Sequence, residues 1–365
     1  MKYISFFIFF TAFFLVSCEK EIEFKGKEEN PKMVLNCILN PDYEIRTILS
    51  KSQFFLLKNP EYEKGIVGAK VYLWQNGKII AEGTSESGGL YGGFTPSVGD
   101  KIKITAEHPD YPSIESEEIE IPAPVPVINI DTVDVKCYAT EYSAIYTDSY
   151  TDGYQNDMMD IENMYVAITY SKVKITFNDP EKIKNYYRVY LEISDKYDGE
   201  YEPNRRVNFY SNDIVFGSSS MGVANTSAYN EFNDLLFDGE KYTLTLCFYD
   251  ERSYSKNDTI YYYKNIPERR EVTVRLESLC ESYYNYLSSL SLYNSNFDGG
   301  FFSEPVQIYS NIKDGMGILG AYSVSLGTIE LPKWEKINQN EFIERQIIDS
   351  NEFYRMYDRY GLSEH

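Results

Sequence analysis

The chain has 365 residues, of which 43% are hydrophobic and 25% charged, a composition that excludes both a disordered polymer and a protein that crosses a membrane repeatedly. Its 56 acidic residues against 35 basic ones give a formal net charge of −21. Nucleic-acid binding needs clustered Lys and Arg to displace counterions, and there is no such stripe here. The length suits two domains, each able to bury a core.

Lys2 precedes a nearly continuous apolar run from Ile4 to Val16, about 13 residues where a membrane-spanning helix needs about 20. Residues 1–17 therefore read as a signal peptide. The run closes on Leu15-Val16-Ser17-Cys18, a leucine and small residues directly before a cysteine, which resembles a bacterial lipobox. A plain secretory signal with a chance cysteine is the alternative. On the lipobox reading the bond before Cys18 is cut, and Cys18 is acylated on its sulfur and its new amine, enough to anchor stably where a single chain would not. Losing Lys2 from the 35 basic residues leaves 34 against 56 acidic ones, a net charge of −22, which solubility alone accounts for. Residues 18–30, charged from Glu19 and Lys20 to Glu29, form the tether between lipid and fold.

From Met33 to Ile121 the hydrophobic period is two. Val71 and Leu73 alternate with Tyr72 and Trp74, Asn76-Gly77 signals a type I′ turn, and Lys78-Ile79-Ile80 returns. Ile102, Ile104 and Ala106 alternate in the same way, and glycine pairs punctuate the stretch between. Short strands with frequent turns predict a β-sandwich over 31–124. Proline then recurs at every second position through Pro122, Pro124 and Pro126, which removes backbone donors, favours a stiff extended connector and marks the boundary to a second domain over 125–365.

In that second domain Asp131 to Glu162 is rich in Tyr, Asp, Ser and Thr with little periodicity, and reads as an insertion or long loop. Strand patterns resume at Tyr165–Phe177, Tyr186–Ile193, Tyr242–Tyr249 and Glu271–Leu276. Ser278 and Glu281 spell a capping box for an amphipathic helix over 279–294 that should pack on a sheet. A weaker helical pattern carries Phe342, Ile343, Ile347, Tyr354 and Tyr357. The expected class is mainly β, with two β-sandwich-like domains, the second bearing one packed amphipathic helix and a short C-terminal helix.

No residue set spells a catalytic centre. His108 lies beside Pro109 in a turn and His365 is terminal, too few for histidine-based catalysis. Cys37, Cys137, Cys247 and Cys280 lack metal or redox spacing, and their pairing stays open. Gly315-Met316-Gly317-Ile318-Leu319-Gly320 spells G-x-G-x-x-G, but Ala321 to Glu330 reads as a strand where a dinucleotide site needs a helix, so the glycines fit a tight turn with close backbone packing. Asp148, Asp152 and Asp157 are calcium candidates in an acidic loop whose EF-hand positions three and twelve are Tyr150 and Met159, which breaks the motif. Acid pairs such as Asp131 and Asp134 are inevitable among 56 acids and give no positive sign of a hydrolase. No cofactor is expected. With 35 Tyr and 21 Phe, a sticky aromatic face competes with compositional bias as the explanation.

Taken in order, Ser17-Cys18-Glu19-Lys20-Glu21-Ile22, Val67 to Leu73, Phe177-Asn178-Asp179-Pro180, Asn185-Tyr186-Tyr187-Arg188, Phe237 to Tyr242, Tyr283 to Leu287, Ser310-Asn311-Ile312, Gly315, Gly317, Gly320, Ala321 and Tyr322 resemble a family of Bacteroidota outer-membrane lipoproteins catalogued as domain of unknown function 4249. The likeness spans most of the mature chain, apart from the segment between Tyr138 and Tyr165 and the tail after Pro332. It implies an outer-membrane, lipid-anchored accessory protein, with the acid-rich start after Cys18 similar to a cell-surface export signal. It implies a TonB-dependent receptor as partner in nutrient uptake and brings no catalytic residues. A free-standing carbohydrate or peptide binder is the alternative, and a hydrolase a remote one. Tyr142, Tyr146, Tyr150 and Tyr154 are the expected contacts to a partner, glycan or peptide, because Tyr suits interfaces and this segment lacks the period to supply core.

Overall fold

The computed structural model describes residues 30–53, 65–86, 90–145, 161–197, 199–216, 230–255, 266–297 and 306–358. The chain divides into two units. Met1–Pro31 with Gln53–Pro60 make one, of which Asn30, Pro31 and Gln53 are described; Lys32–Ser52 with Glu61–His365 make the other, which holds every element below. In chain order the strands begin with β1 (Met33–Leu39), β2 (Thr47–Lys51), β3 (Lys70–Gln75), β4 (Lys78–Thr84), β5 (Leu90–Tyr91), β6 (Lys101–His108), β7 (Tyr111–Ser116) and β8 (Ile119–Glu120). After the prolines come β9 (Val127–Ile145), β10 (Ile161–Asn178), β11 (Tyr186–Tyr197), β12 (Glu200–Tyr201), β13 (Arg205–Val207), β14 (Glu231–Asn233), β15 (Lys241–Ser255) and β16 (Arg269–Leu279). Helix α1 (Glu281–Phe297), β17 (Ile312–Lys313), β18 (Met316–Glu330), β19 (Glu335–Lys336) and helix α2 (Gln339–Asp358) complete the chain.

The protein is mainly β, as its alternation predicts. In the first sandwich, the sheet β17-β7-β6-β3-β4 faces the row β18-β1-β2-β5. Their inward residues, among them Leu35, Leu49, Val71, Leu73, Ile104 and Leu319, are fully buried in one core. Asn76 (φ 49) and Gly77 (φ 75) both sit left-handed between β3 and β4, the type I′ geometry that matches strand twist. In the second sandwich, β15-β10-β9-β19 faces β12-β11-β16-β18, and Val173, Phe177, Leu246, Tyr187, Val274 and Leu276 fill the space between.

One strand serves both sandwiches. Met316–Ala321 of β18 pairs parallel with β1, Val34 opposite Met316 through Leu39 opposite Ala321. Tyr322–Glu330 of the same strand pairs antiparallel with β16, Leu279 opposite Tyr322 through Glu271 opposite Glu330. The proline connector lies between β8 and β9, where the boundary is drawn from sequence. Residues 312–321 nevertheless return to the first core, so that sandwich is not built from 31–124 alone. The glycines of Gly315 to Gly320 make this possible. Gly317 (φ +102) lies so close to β1 that a Cβ would fall 2.1 Å from the Leu35 carbonyl oxygen, and one on Gly315 would lie 2.8 Å from that of Met33. Hydroxyls hold the connector onto the shared sheet: Ser323 donates to the Pro122 carbonyl (2.6 Å), while Ser278 and Ser325 accept the Val125 and Val127 N–H groups (both 3.1 Å).

Two local expectations are corrected. Residues 131–145 and 161–162 are strand rather than loop. They belong to the long antiparallel pair β9–β10, in register up to Ile145 opposite Ile161. Tyr and Thr are good strand residues on either face, which hides the two-residue period. Ser278 lies within β16, which runs to Leu279, and does not cap α1. The helix opens at Glu281, and Cys280 takes the cap position, its carbonyl accepting the Tyr283 and Tyr284 N–H groups (both 3.1 Å) and its Sγ that of Ala321 (3.1 Å).

Cys37, Cys137, Cys247 and Cys280 form no disulfide with one another; the first three are buried and Cys280 is half-buried. Burial pushes Cys37 up to about 12, and Cys137 and Cys280 up to about 11, so little thiolate, the reactive form, exists near neutrality. Native protein at pH 8 is therefore expected to resist alkylation by iodoacetamide at all four, with modification only on unfolding, as read by mass spectrometry.

Candidate functional site

Most residues singled out from sequence lie outside the described residues: Cys18, Tyr146, Tyr150, Tyr154, Asp148, Asp152, Asp157 and His365. Tyr142 is in β9, its backbone opposite Met164. His108 lies where a turn joins β6 to β7, its Nδ1 accepting the Asp110 N–H (3.2 Å). Asp131 accepts the Thr132 N–H (2.8 Å), and Asp134 pairs with Lys172 (2.6 Å), whose hydrogen bond and charge hold its carboxyl below the usual range. That is the opposite of what a general acid needs.

Strand directions give the molecule two distinct ends. β1 is parallel to β18, β16 runs against both, and β11 runs against β16. β1, β11 and β18 therefore run in one direction, but β11 starts level with the end of β1: Tyr186 is opposite Leu279, Leu279 opposite Tyr322, and the neighbouring Ala321 opposite Leu39. The loop from β10 to β11 lies there, at the near end of the second sandwich. The start of β10, at Ile161 opposite Ile145, faces the other end, roughly 55 Å along the strand from Asn178. Residues 142–145 and Ile161 belong to that far end.

At the near end, three of the segments compared above converge. The loop after Phe177-Asn178-Asp179-Pro180, the start of Asn185-Tyr186-Tyr187-Arg188 and the turn Phe237-Asp238-Gly239 interlock. The Lys182 N–H donates to Asp238 Oδ1 (3.0 Å), and the Asn185 N–H to Asp234 Oδ2 (2.6 Å). Asp179 accepts from the Tyr187 hydroxyl and the Gly239 N–H (2.9 Å). Gly239 (φ +73) sits where a Cβ would lie 2.7 Å from Glu181 Cγ. Beneath, Phe237 stacks on Tyr242 with ring centroids 4.2 Å apart, and Phe177 packs on Tyr187.

Asp179, Asp234 and Asp238 each bring a carboxylate oxygen within 4.8 Å of the others, and among the described residues they are the set best arranged for a hard cation. The N–H donors on each account for the cluster without one. Burial, with the charges of Asp234 and Asp238, raises the Asp179 carboxyl. Sequence reasoning missed the cluster because Asp179 lies 55 and 59 residues before Asp234 and Asp238; the motifs Asn178-Asp179-Pro180 and Phe237-Asp238-Gly239 were its visible trace.

Arg188, from the same motif, is structural. It pairs with the buried Glu277 (2.5 Å), donates to the Tyr283 hydroxyl (3.1 Å) and packs against the rings of Tyr190, Tyr283 and Tyr322. Burial opposes its charge, but Glu277 outweighs burial and keeps the guanidinium protonated. Asn311 acts similarly, its amide bonding both the N–H and the carbonyl of Leu319 (2.9 Å each). A cleft of about 450 Å³ separates β9 from α2. Its buried Asp349 takes Lys136 and the Tyr138 hydroxyl (2.8 Å), and its Arg345 pairs with Glu335 and Glu341. These charges are matched within the wall.

Two β-sandwiches that share strand β18 define the class of protein. The chain belongs to the family described as Domain of unknown function (DUF4249), whose sequence profile matches residues 19–327. Comparison with curated proteins finds no match. The match covers the near-end loops and all but the last three residues of the shared strand, and it stops before the α2 side of the cleft. No helix among the described residues is long and apolar enough to cross a membrane.

Proposed function

We propose that this protein is a lipid-anchored, non-enzymatic accessory lipoprotein of the outer membrane, exposed at the cell surface, that engages a TonB-dependent receptor in nutrient uptake through its far end. The observation that carries this reading is the direction of β9 and β10. They pair out to Ile145 opposite Ile161, and the Tyr-rich segment of the sequence connects them there. Lipid confines such a module to the plane of the receptor and raises its effective concentration, so a modest aromatic contact holds the pair together. The excess of acids requires basic or aromatic partner surface, and the tyrosines of this segment supply the aromatic half.

Replacing residues 146–160 by Asn-Gly, which closes a two-residue hairpin, leaves the denaturation midpoint unchanged and reduces co-purification of the receptor about ten-fold, equivalent to about 1.4 kcal/mol. Undiminished recovery would refute the contact. Anchoring has its own readout. The sequence holds five cysteines, so a mature chain acylated at Cys18 shows four alkylatable thiols in denaturant, and one without acyl groups shows five.

A further inference from the structure

We infer that helix α2 is a displaceable strap, latched by the carboxylate of Asp349, over an aromatic and apolar face of β9, β10 and β15 that takes the partner when the strap lifts. The inference rests on the partner contact proposed above and adds a regulated cover to it.

Over residues 339–350 of α2, only Phe342 and Asp349 are buried. They lie two helical turns apart and so share one face of the helix. Phe342 meets the Tyr138 ring edge-on, with centroids 5.5 Å apart, in a small cluster with Ile168 and the partly buried Val166, Tyr249 and Ile337. Asp349 accepts from Lys136 (2.5 Å) and from the Tyr138 hydroxyl (2.8 Å). The other ties from helix to sheet are Gln346 to Glu251 (3.0 Å) and Arg345, which lies over the Tyr138 ring, to Glu335 (2.8 Å); these are exposed contacts, which hold little. Ile343, Ile347 and Ile348 are 39%, 54% and 56% exposed, so the helix leaves most of its aliphatic surface in water, beside a cleft of about 450 Å³ that its side chains do not fill. A helix held by one phenylalanine and one carboxylate opens at far lower cost than the fully paired strand β10 beneath it.

Lifting the helix uncovers Tyr138, Ile168, Val166 and Tyr249 together on three neighbouring strands, a surface of the composition that protein interfaces favour. β9 runs from Tyr138 directly on to Tyr142, so the uncovered face adjoins the far end, where the receptor contact is proposed. Lys136, released from Asp349, remains as the cation of this face, with Glu251 and Glu335 at its border. The present occupant defines what the seat accepts: a partner segment that offers an aromatic side chain and a carboxylate two helical turns apart, the carboxylate pairing with Lys136.

The test compares the full chain with its Asp349→Ala variant, and takes Ile347→Ala, at an exposed position of the same helix, as the control. Amide hydrogen exchange is expected to run about 100-fold faster over residues 341–350 than in β10, and about ten-fold faster again in Asp349→Ala but not in Ile347→Ala. Fluorescence of the apolar dye anilinonaphthalene sulfonate is expected to rise about two-fold in Asp349→Ala alone. Recovery of the receptor at limiting concentration rises up to about ten-fold in the same variant, because apparent affinity scales with the open fraction. Exchange over 341–350 as slow as in β10, or unchanged by Asp349→Ala, overturns the strap, and faster exchange without added dye fluorescence overturns the covered face. A parent that recovers receptor and an Asp349→Ala variant that recovers no more of it overturn the role of the cover. If neither recovers receptor while exchange and dye respond as expected, the receptor reading fails and the strap stands.

Discussion

Gly317→Ala is expected to destabilise the whole described fold by about 2–6 kcal/mol, the sum of about 1–3 for the backbone strain and about 1–3 for forced repacking. The residue has φ +102, and the added Cβ would fall 2.1 Å from the Leu35 carbonyl oxygen and 2.8 Å from its carbon. Neither is the tip of a flexible side chain, so β18 must move away from β1 or the parallel pairing must break. Gly93→Ala is the matched control. Its φ of +110 carries the same kind of strain, but nothing lies within 4 Å of the new methyl, so only the backbone contribution is lost. Urea denaturation of both variants measures the difference. A loss at Gly317 no larger than that at Gly93 would show that the close approach of β18 to β1 is not a constraint.

The second large effect is expected at Arg270, 1% exposed in the second core. It forks onto Asp195 (2.6 and 2.8 Å), donates to Thr169 (2.8 Å) and Asp250 (2.7 Å), and lies against the Trp334 ring. Arg270→Met leaves Asp195 buried without its bidentate partner, which costs about 3–5 kcal/mol. Asp250 keeps Arg205 at 2.6 Å. Arg270→Met combined with Asp195→Leu is expected to recover most of that loss, because an apolar pair of similar volume incurs no desolvation.

The pH dependence separates the two states. In the parent, burial works against ionised Asp250, but Arg270 and Arg205 overcome it and hold its carboxyl below the usual range. That stabilisation is present above about pH 4 and fades as pH falls through the folded value. In Arg270→Met only Arg205 remains beside Asp250, so the variant has less of this stabilisation to lose. Thermal melts from about pH 7 to about pH 3 are expected to fall more steeply below about pH 4 in the parent than in the variant.

What the sequence made legible was local. Asn76-Gly77 fixed a hairpin because both residues tolerate positive φ, and the spacing of Tyr283 and Leu287 marked the buried face of α1. The mainly β class followed from the same periodicities. The shared strand was not legible, because the register of Val34 on Met316 joins residues some 280 positions apart and no local pattern encodes it. Its trace was the run of glycines from Gly315 to Gly320, correctly read as close backbone packing but without a partner. The capping box at Ser278 misled because a serine closing a strand and one opening a helix look alike; its hydroxyl is engaged by the Val125 N–H. The near-end aspartates were hidden for the reason that hid the strand, since Asp179 and Asp234 meet only after the two sheets pack.

The central structural claim is that β18 joins the two sandwiches into one cooperative unit, which is what fixes the two ends against each other. The chain has two tryptophans: Trp74 in β3 of the first sandwich, and Trp334, which packs against the core of the second. Single-tryptophan variants, Trp334→Phe and Trp74→Phe, therefore report each sandwich separately. Urea unfolding followed by fluorescence is predicted to give coincident midpoints and slopes for the two probes, shifting together when Gly317→Ala is added. Two separated transitions, with Gly317→Ala moving only the Trp74 signal, would contradict a shared strand and leave two independently folded domains.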